Sequence, residues 1–235
     1  MDSVPIRQTQ TQTQVVVNSF VRSVYNWMAI GLALTGFVAY YVSNSQTMLN
    51  IIFGNPIVFW GLIIGELVMV FTLSARVNKM QASTATTLFV LYAALNGATL
   101  SAVFLAYTKS SITSTFFVCA GTFVAGSVYG WTTKKDLTSF GSFLFMGLIG
   151  IIIASVVNLF LKSTGMSMII SYIGVFLFIG LTVYDTQRLK NMALTQPAGL
   201  EAGVMRKGSI LGTLSLYVDF INLFLMLLRI MGNRE

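Results

Sequence analysis

Seven apolar stretches divide this chain, each 18–23 residues long, and they constrain the fold more than any other feature. They run Val24–Val42, Ile57–Ala75, Ala85–Tyr107, Ser114–Trp131, Phe140–Leu161, Met168–Thr186 and Ile210–Ile230. Each is long enough to cross a hydrocarbon core of about 30 Å as a helix. A lipid interior offers backbone groups no partners, so such segments must satisfy their own hydrogen bonds. The expected class is therefore an all-α integral membrane protein. Composition agrees: 55% of the 235 residues are hydrophobic and 9% are charged, against about 25% charged in soluble domains.

The net charge of +7 comes from cations scattered singly or in pairs between apolar runs. No basic stripe exists, so nucleic-acid binding is not expected. Histidine is absent, which removes Ser-His and Cys-His nucleophile pairs and imidazole metal sites. The single cysteine, Cys119, lies in an apolar run and reads as a small hydrophobe. Residues 1–20 form a polar, Gln/Thr-rich tail without the apolar core of a cleavable signal, so the first span is expected to act as the targeting signal.

Loop cations set the orientation. With the N-terminus in the cytoplasm, that side holds Arg7, Arg22, Arg76, Lys79, Lys134, Lys135, Arg188, Lys190, Arg206 and Lys207. The other side holds Lys109, Lys162, Arg229 and Arg234. Ten against four favours N-inside and C-outside. Folding the seventh segment back on itself would return the C-terminus to the cytoplasm. The longest loop expected is Lys190–Ser209, with Pro197, Gly199 and Gly203, read either as a mobile cover or as a solvated connection. Gly61/Gly65 and Gly126/Gly130 are spaced for close helix approach. Packing within one chain is the simpler use of both pairs, so a monomer is expected.

Two aspartates interrupt the last two apolar runs: Asp185 in FIGLTVYDTQRLK and Asp219 in TLSLYVDFINLFLMLL. A carboxylate at a helix centre costs about 2.5–3.5 kcal/mol on insertion scales, so it needs a partner or a purpose. If the last two spans are neighbours, the two carboxyls meet at similar depth in the cytoplasmic half. Ser215, Asp219 and Asn222 share one helix face, as do Thr182 and Asp185. Asn96 with Thr99, and Ser155 with Asn158, add polar pairs in other spans; they read either as a hydrophilic path or as interhelical hydrogen-bond glue. Glu66 is a third intramembrane acid, read equally as part of a path or as half of an ion pair. Arg188, one turn from Asp185, could neutralise it, and Arg76 or Lys79 could pair with it across helices. Two facing carboxylates in a low dielectric cannot both ionise cheaply, so such a pair shares a proton. Its oxygens also suit a hard divalent cation such as calcium, held transiently.

YDTQRLK at Tyr184–Lys190 and SLYVDFINLFLMLLRI at Ser215–Ile230 resemble the Bax inhibitor 1 (transmembrane Bax inhibitor motif) family. YNWMAIGLALTGFVAYY from Tyr25 and LYAALNGATLS at Leu91–Ser101 resemble that family's first and third spans. The likeness runs from about Val21 onward and looks closest to bacterial inner-membrane members. It implies seven transmembrane helices with the seventh at the centre of the other six. It also implies a pH-sensitive calcium leak in which Asp185 and Asp219 form the sensor, with no cofactor. By the same analogy Arg76 latches the closed state and Glu66 lines the path. Rival readings are a regulatory partner of membrane proteases or quality-control machinery, and a proton-coupled cation exchanger. An enzyme is not expected. Tyr184-Asp185 resembles the first motif of intramembrane aspartyl proteases, but the Gly-x-Gly-Asp motif of their second aspartate is missing here.

Overall fold

The computed structural model describes residues 6–195 and 201–234, with side-chain surroundings from residue 17 onward. Eight α-helices follow in chain order: α1 Ile6–Ser43, α2 Gln46–Phe53, α3 Pro56–Arg76, α4 Ala82–Ala106, α5 Lys109–Thr132, α6 Thr138–Leu161, α7 Thr164–Leu194 and α8 Ala202–Met231. Among the described residues the only pairing of extended backbone is a single antiparallel bridge between Tyr107 and Arg234. Among the described residues six helices, α3 to α8, are long and apolar enough to cross a membrane. The expected first span, Val24–Val42, forms the second half of α1, where Tyr25, Asn26, Thr35, Tyr40 and Tyr41 dilute the apolar character.

Local chemistry explains several boundaries. Asn55 caps α3, its side chain accepting from the Ile57 amide at 3.0 Å, and Pro56 occupies the first turn, where a missing N–H costs nothing. Thr108 caps α5 by accepting from the Ser111 amide at 3.3 Å. Ahead of α6, Asp136 Oδ1 accepts from the Thr138 amide at 2.9 Å and from its hydroxyl at 2.6 Å. Those bonds hold the Asp136 carboxyl below the usual carboxylate range.

Two readings of the connections are corrected. The expected loop Lys190–Ser209 is largely helix: α7 runs on to Leu194 and α8 begins at Ala202. Pro197 and Gly199 lie outside the described residues. The first turns of α8 are anchored: the Arg206 Nε donates to Thr86 Oγ1 at 3.1 Å, its guanidinium lies 5.6 Å from the centre of the Trp27 ring, and Lys207 Nζ donates to the Asn78 carbonyl at 3.1 Å. These contacts extend the helix beyond its apolar run. The seventh segment does not fold back either, because α8 is one unbroken helix of 30 residues, about 45 Å long.

The described residues fall into two compact units, one drawn from Met1–Phe104 with Leu189–Ser215, the other from Leu105–Arg188 with Leu216–Glu235. In the first unit, Gly97 of α4 meets α1 so closely that a Cβ would stand 2.6 Å from the Thr35 carbonyl oxygen. Thr35 Oγ1 crosses the same contact, donating at 2.9 Å to the Ala93 carbonyl. Thr213 Oγ1 of α8 donates to the Val24 carbonyl at 3.0 Å.

In the second unit α7 is pressed between α5 and α6. A Cβ on Gly130 would run into the Val183 carbonyl, and one on Gly141 into the Tyr184 ring. Gly126 and Gly130 thus meet the expectation of close packing within the chain. Gly61 and Gly65 do not: nothing lies within 4 Å of either Cβ position. Their helix, α3, exposes Ile57, Trp60, Ile64, Leu67, Val68 and Phe71, so the glycines sit on a surface facing outward.

Replacing Gly130 with Val should force α5 and α7 apart and cost about 1–3 kcal/mol, the usual penalty for overpacking. Gly61→Ala should stay within about 0.5 kcal/mol of the parent. Thermal unfolding of both variants in lipid nanodiscs checks the contrast. Asp136 has its own pH signature: its lowered carboxyl gives the turn leading into α6 a contribution present above the ordinary carboxylate range and lost as pH falls through the lowered value. Asp136→Asn should flatten that acid limb of the unfolding profile.

Candidate functional site

Asp185 and Asp219 belong to the second unit and sit on α7 and α8. The register of that helix pair explains why they meet. The chains run antiparallel, with Gly174 against Met226 deeper in the same unit. From that contact Asp185 lies eleven residues on along α7 and Asp219 seven residues back along α8, within about one helical turn of that register, and the two carboxyl groups come close enough to interact directly. A hydrogen bond between two carboxyls needs a proton on one of them, since an ionised carboxylate can only accept.

The two partners have different surroundings. Asp219 lies near the middle of α8, is 5% exposed, and its Oδ2 has no hydrogen-bond partner among the described residues. Asp185 is half-buried and feels the positive charge of Arg188, which is itself exposed. The pair therefore has one polar, charge-compensated side and one enclosed side.

Neighbouring residues of the motif fix Asp185 in place. Tyr184 packs its ring on Gly141 of α6. Thr186 is buried and donates to Ser127 Oγ of α5 at 3.5 Å. Gln187 is 7% exposed; its Nε2 donates to the Lys135 carbonyl at 2.7 Å and its Oε1 accepts from the Leu137 amide at 3.0 Å. One side-chain amide thus closes both polar groups of the α5–α6 turn. Sequence reasoning missed Thr186 and Gln187. Their one available signal was that polar residues directly follow the aspartate within an otherwise apolar helix.

The remaining candidates separate into groups. Glu66, Asn96 and Thr99 come together in the first unit: Glu66 Oε1 accepts from Thr99 Oγ1 at 2.9 Å, and Oε2 accepts from Asn96 Nδ2 at 3.3 Å. Arg76 is exposed in the last turn of α3, followed by exposed Lys79 in a short 3-10 turn. Other polar groups are used locally. Thr182 Oγ1 donates to the Phe178 carbonyl and Asn222 Nδ2 to the Val218 carbonyl, both at 2.8 Å. Ser215 is half-buried in the part of α8 that belongs to the first unit. Asn158 closes the α6–α7 turn by donating to Ser167 Oγ at 2.7 Å and accepting from the Ser163 amide at 3.1 Å. Among the described residues no group of three or more Asp, Glu, Cys or His converges to hold a metal ion.

Comparison with known proteins places these residues in a wider set. A family model described as inhibitor of apoptosis-promoting Bax1 matches residues 17–235. Inner membrane protein YbhL of Escherichia coli strain K12 is 51% identical over 235 residues, covering all of both chains. A Borreliella burgdorferi protein is 45% identical over 228 residues, 97% of each chain. A Deinococcus radiodurans protein is 43% identical over 230 residues, 98% of this chain and 97% of the relative.

Substituting Gln187 with Leu should leave the Lys135 carbonyl and the Leu137 amide open. The expected loss is about 1–3 kcal/mol, the cost of unsatisfied buried polar groups. Thermal unfolding checks it, with Gln187→Glu retaining the contact to Lys135 only when protonated.

Proposed function

This chain belongs to the Bax inhibitor 1 family, and from that premise we propose that it is an inner-membrane, pH-sensitive cation leak with calcium as its substrate. Inner-membrane placement follows the name of the Escherichia coli relative. The apolar half of α1 supplies a seventh crossing, with the N-terminus cytoplasmic and the C-terminus periplasmic, as the loop cations favour. The seventh crossing, α8, stands at the centre. Its enclosure supports that position: 61% of its most apolar window is buried, against 6% for α3.

The observation that carries the proposal is the close approach of the Asp185 and Asp219 carboxyls inside an apolar helix pair. With one shared proton the pair bears a single negative charge and ties α7 to α8. Removing that proton sets two like charges together in a low dielectric, which pushes the helices apart and raises their attraction for a cation. Calcium prefers 6–8 oxygen ligands, so two carboxyls hold it only in passing, and the ion keeps most of its water. That suits permeation. No resident cofactor is required. Arg76 acts as a latch on the closed state, and the Glu66–Asn96–Thr99 cluster lines the path.

Calcium flux into proteoliposomes across a pH series tests the reading. Asp219→Asn should abolish the pH response, since an amide cannot gain or lose the proton. Asp185→Asn should do the same. Flux and pH response identical to the parent in both variants would sink the sensor role.

A further inference from the structure

Within the second unit, α5 presents Ser111, Thr115 and Cys119 at four-residue intervals, all buried. Ser111 and Cys119 each bond to α8 or its C-terminal extension. Ser111 Oγ accepts from the Asn233 amide at 3.0 Å, and Cys119 Sγ donates to the Phe220 carbonyl at 3.6 Å. The two helices therefore run antiparallel along one seam, and Thr115 lies one turn from each contact. It is 1% exposed.

Thr115 Oγ1 shares an unusual property with Asp219 Oδ2. Both are buried side-chain oxygens without a hydrogen-bond partner among the described residues, and they sit on the two helices that build this seam. Other threonines of α5 avoid that state by donating four residues back: Thr113 to the Lys109 carbonyl, Thr122 to Val118 and Thr132 to Val128, at 2.8–2.9 Å. Leaving a buried hydroxyl open costs about 1–3 kcal/mol. Buried polar atoms in this state are generally met by ordered water.

We propose that the α5–α8 seam holds a short file of water from Asp219 Oδ2 past Thr115 Oγ1 toward Ser111, and that protons reach the aspartate pair along it. Asp219 adjoins Phe220, which contacts Cys119, and Thr115 is four residues from Cys119, an axial step of about 6 Å. A hydrated cation does not fit this chemistry. The rings of Phe116 and Phe123 stand 5.6 and 5.4 Å from Phe220 along the seam, and six oxygen ligands are not there to replace a calcium hydration shell. Protons and the permeating cation thus use separate routes to the same pair. The inference rests on reading the pair as a proton-bearing sensor.

Infrared spectroscopy of the full chain in lipid tests it, through the C=O stretch of the protonated carboxyl and its exchange in deuterium oxide. The wild type should show a band that Asp219→Asn removes. In Thr115→Val the band should persist but exchange about tenfold more slowly, the factor expected from losing one hydrogen-bond partner. Thr115→Ser should exchange at the wild-type rate. Thermal unfolding gives a second readout with opposite signs. In a hydrated seam Thr115→Val lowers the melting temperature; in a dry one it raises it by deleting an unpaired hydroxyl. Wild-type exchange in Thr115→Val, or a gain in its stability, overturns the water file while leaving the sensor intact. Absence of any band lost in Asp219→Asn overturns the proton-bearing pair and the file with it.

Discussion

Hydrocarbon supplies no hydrogen-bond partners, and the polar residues of the long helices are arranged around that constraint. Most turn inward to their own backbone. Thr35, Ser171, Thr182 and Asn222 each donate to the carbonyl four residues back. Others find a facing helix, as Thr213 finds Val24 and Thr99 finds Glu66. Asp219 has neither solution. An ionised carboxylate has no proton to donate to a helix carbonyl, so its needs fall on another side chain. Asp185 is the side chain that meets it, and two carboxyls set this close in a low dielectric do not both ionise cheaply.

The rest of the second unit holds this pair in register. Helix α7 is pressed against α5 and α6 at glycines, and the closest of these approaches, at Gly130 and Gly141, admit no side chain without displacement. The segment that follows uses every residue: Tyr184 on α6, Asp185 on α8, Thr186 on α5 and Gln187 on the α5–α6 turn. Asp185 is therefore anchored from three sides. A change of protonation acts on the one contact that is electrostatically variable, while the neutral contacts around it stay put. In the proposed sensor the contact that changes with protonation is the one to α8, while neutral contacts to α5 and α6 hold α7.

Much of this was legible from residue order. The apolar runs gave the long helices, and the two aspartates stood out by their cost in lipid. Less was visible at the ends. Apolar runs mark the part of a helix that lipid can cover, not the turns beyond it, so α8 begins eight residues before the expected span, where Arg206 and Lys207 find partners. Glycine spacing was equally incomplete as a guide. Gly126/Gly130 and Gly61/Gly65 have the same pattern, yet only the first pair has a helix against it. Spacing says that close approach is allowed; what approaches is a property of the other helix.

Residue order by itself determined that this chain forms long apolar helices, and that two carboxyls within them require compensation. Both follow from single-segment energetics: hydropathy, helix length and the cost of charge in lipid. Tertiary structure alone decided which groups provide that compensation. Helix packing brought Asp185 to Asp219, gave Gln187 an unforeseen structural task, tied Asn158 to Ser167, and left Thr115 Oγ1 at a seam without a partner among the described residues. Pairing across helices depends on their relative rotation and stagger, and no single segment encodes those.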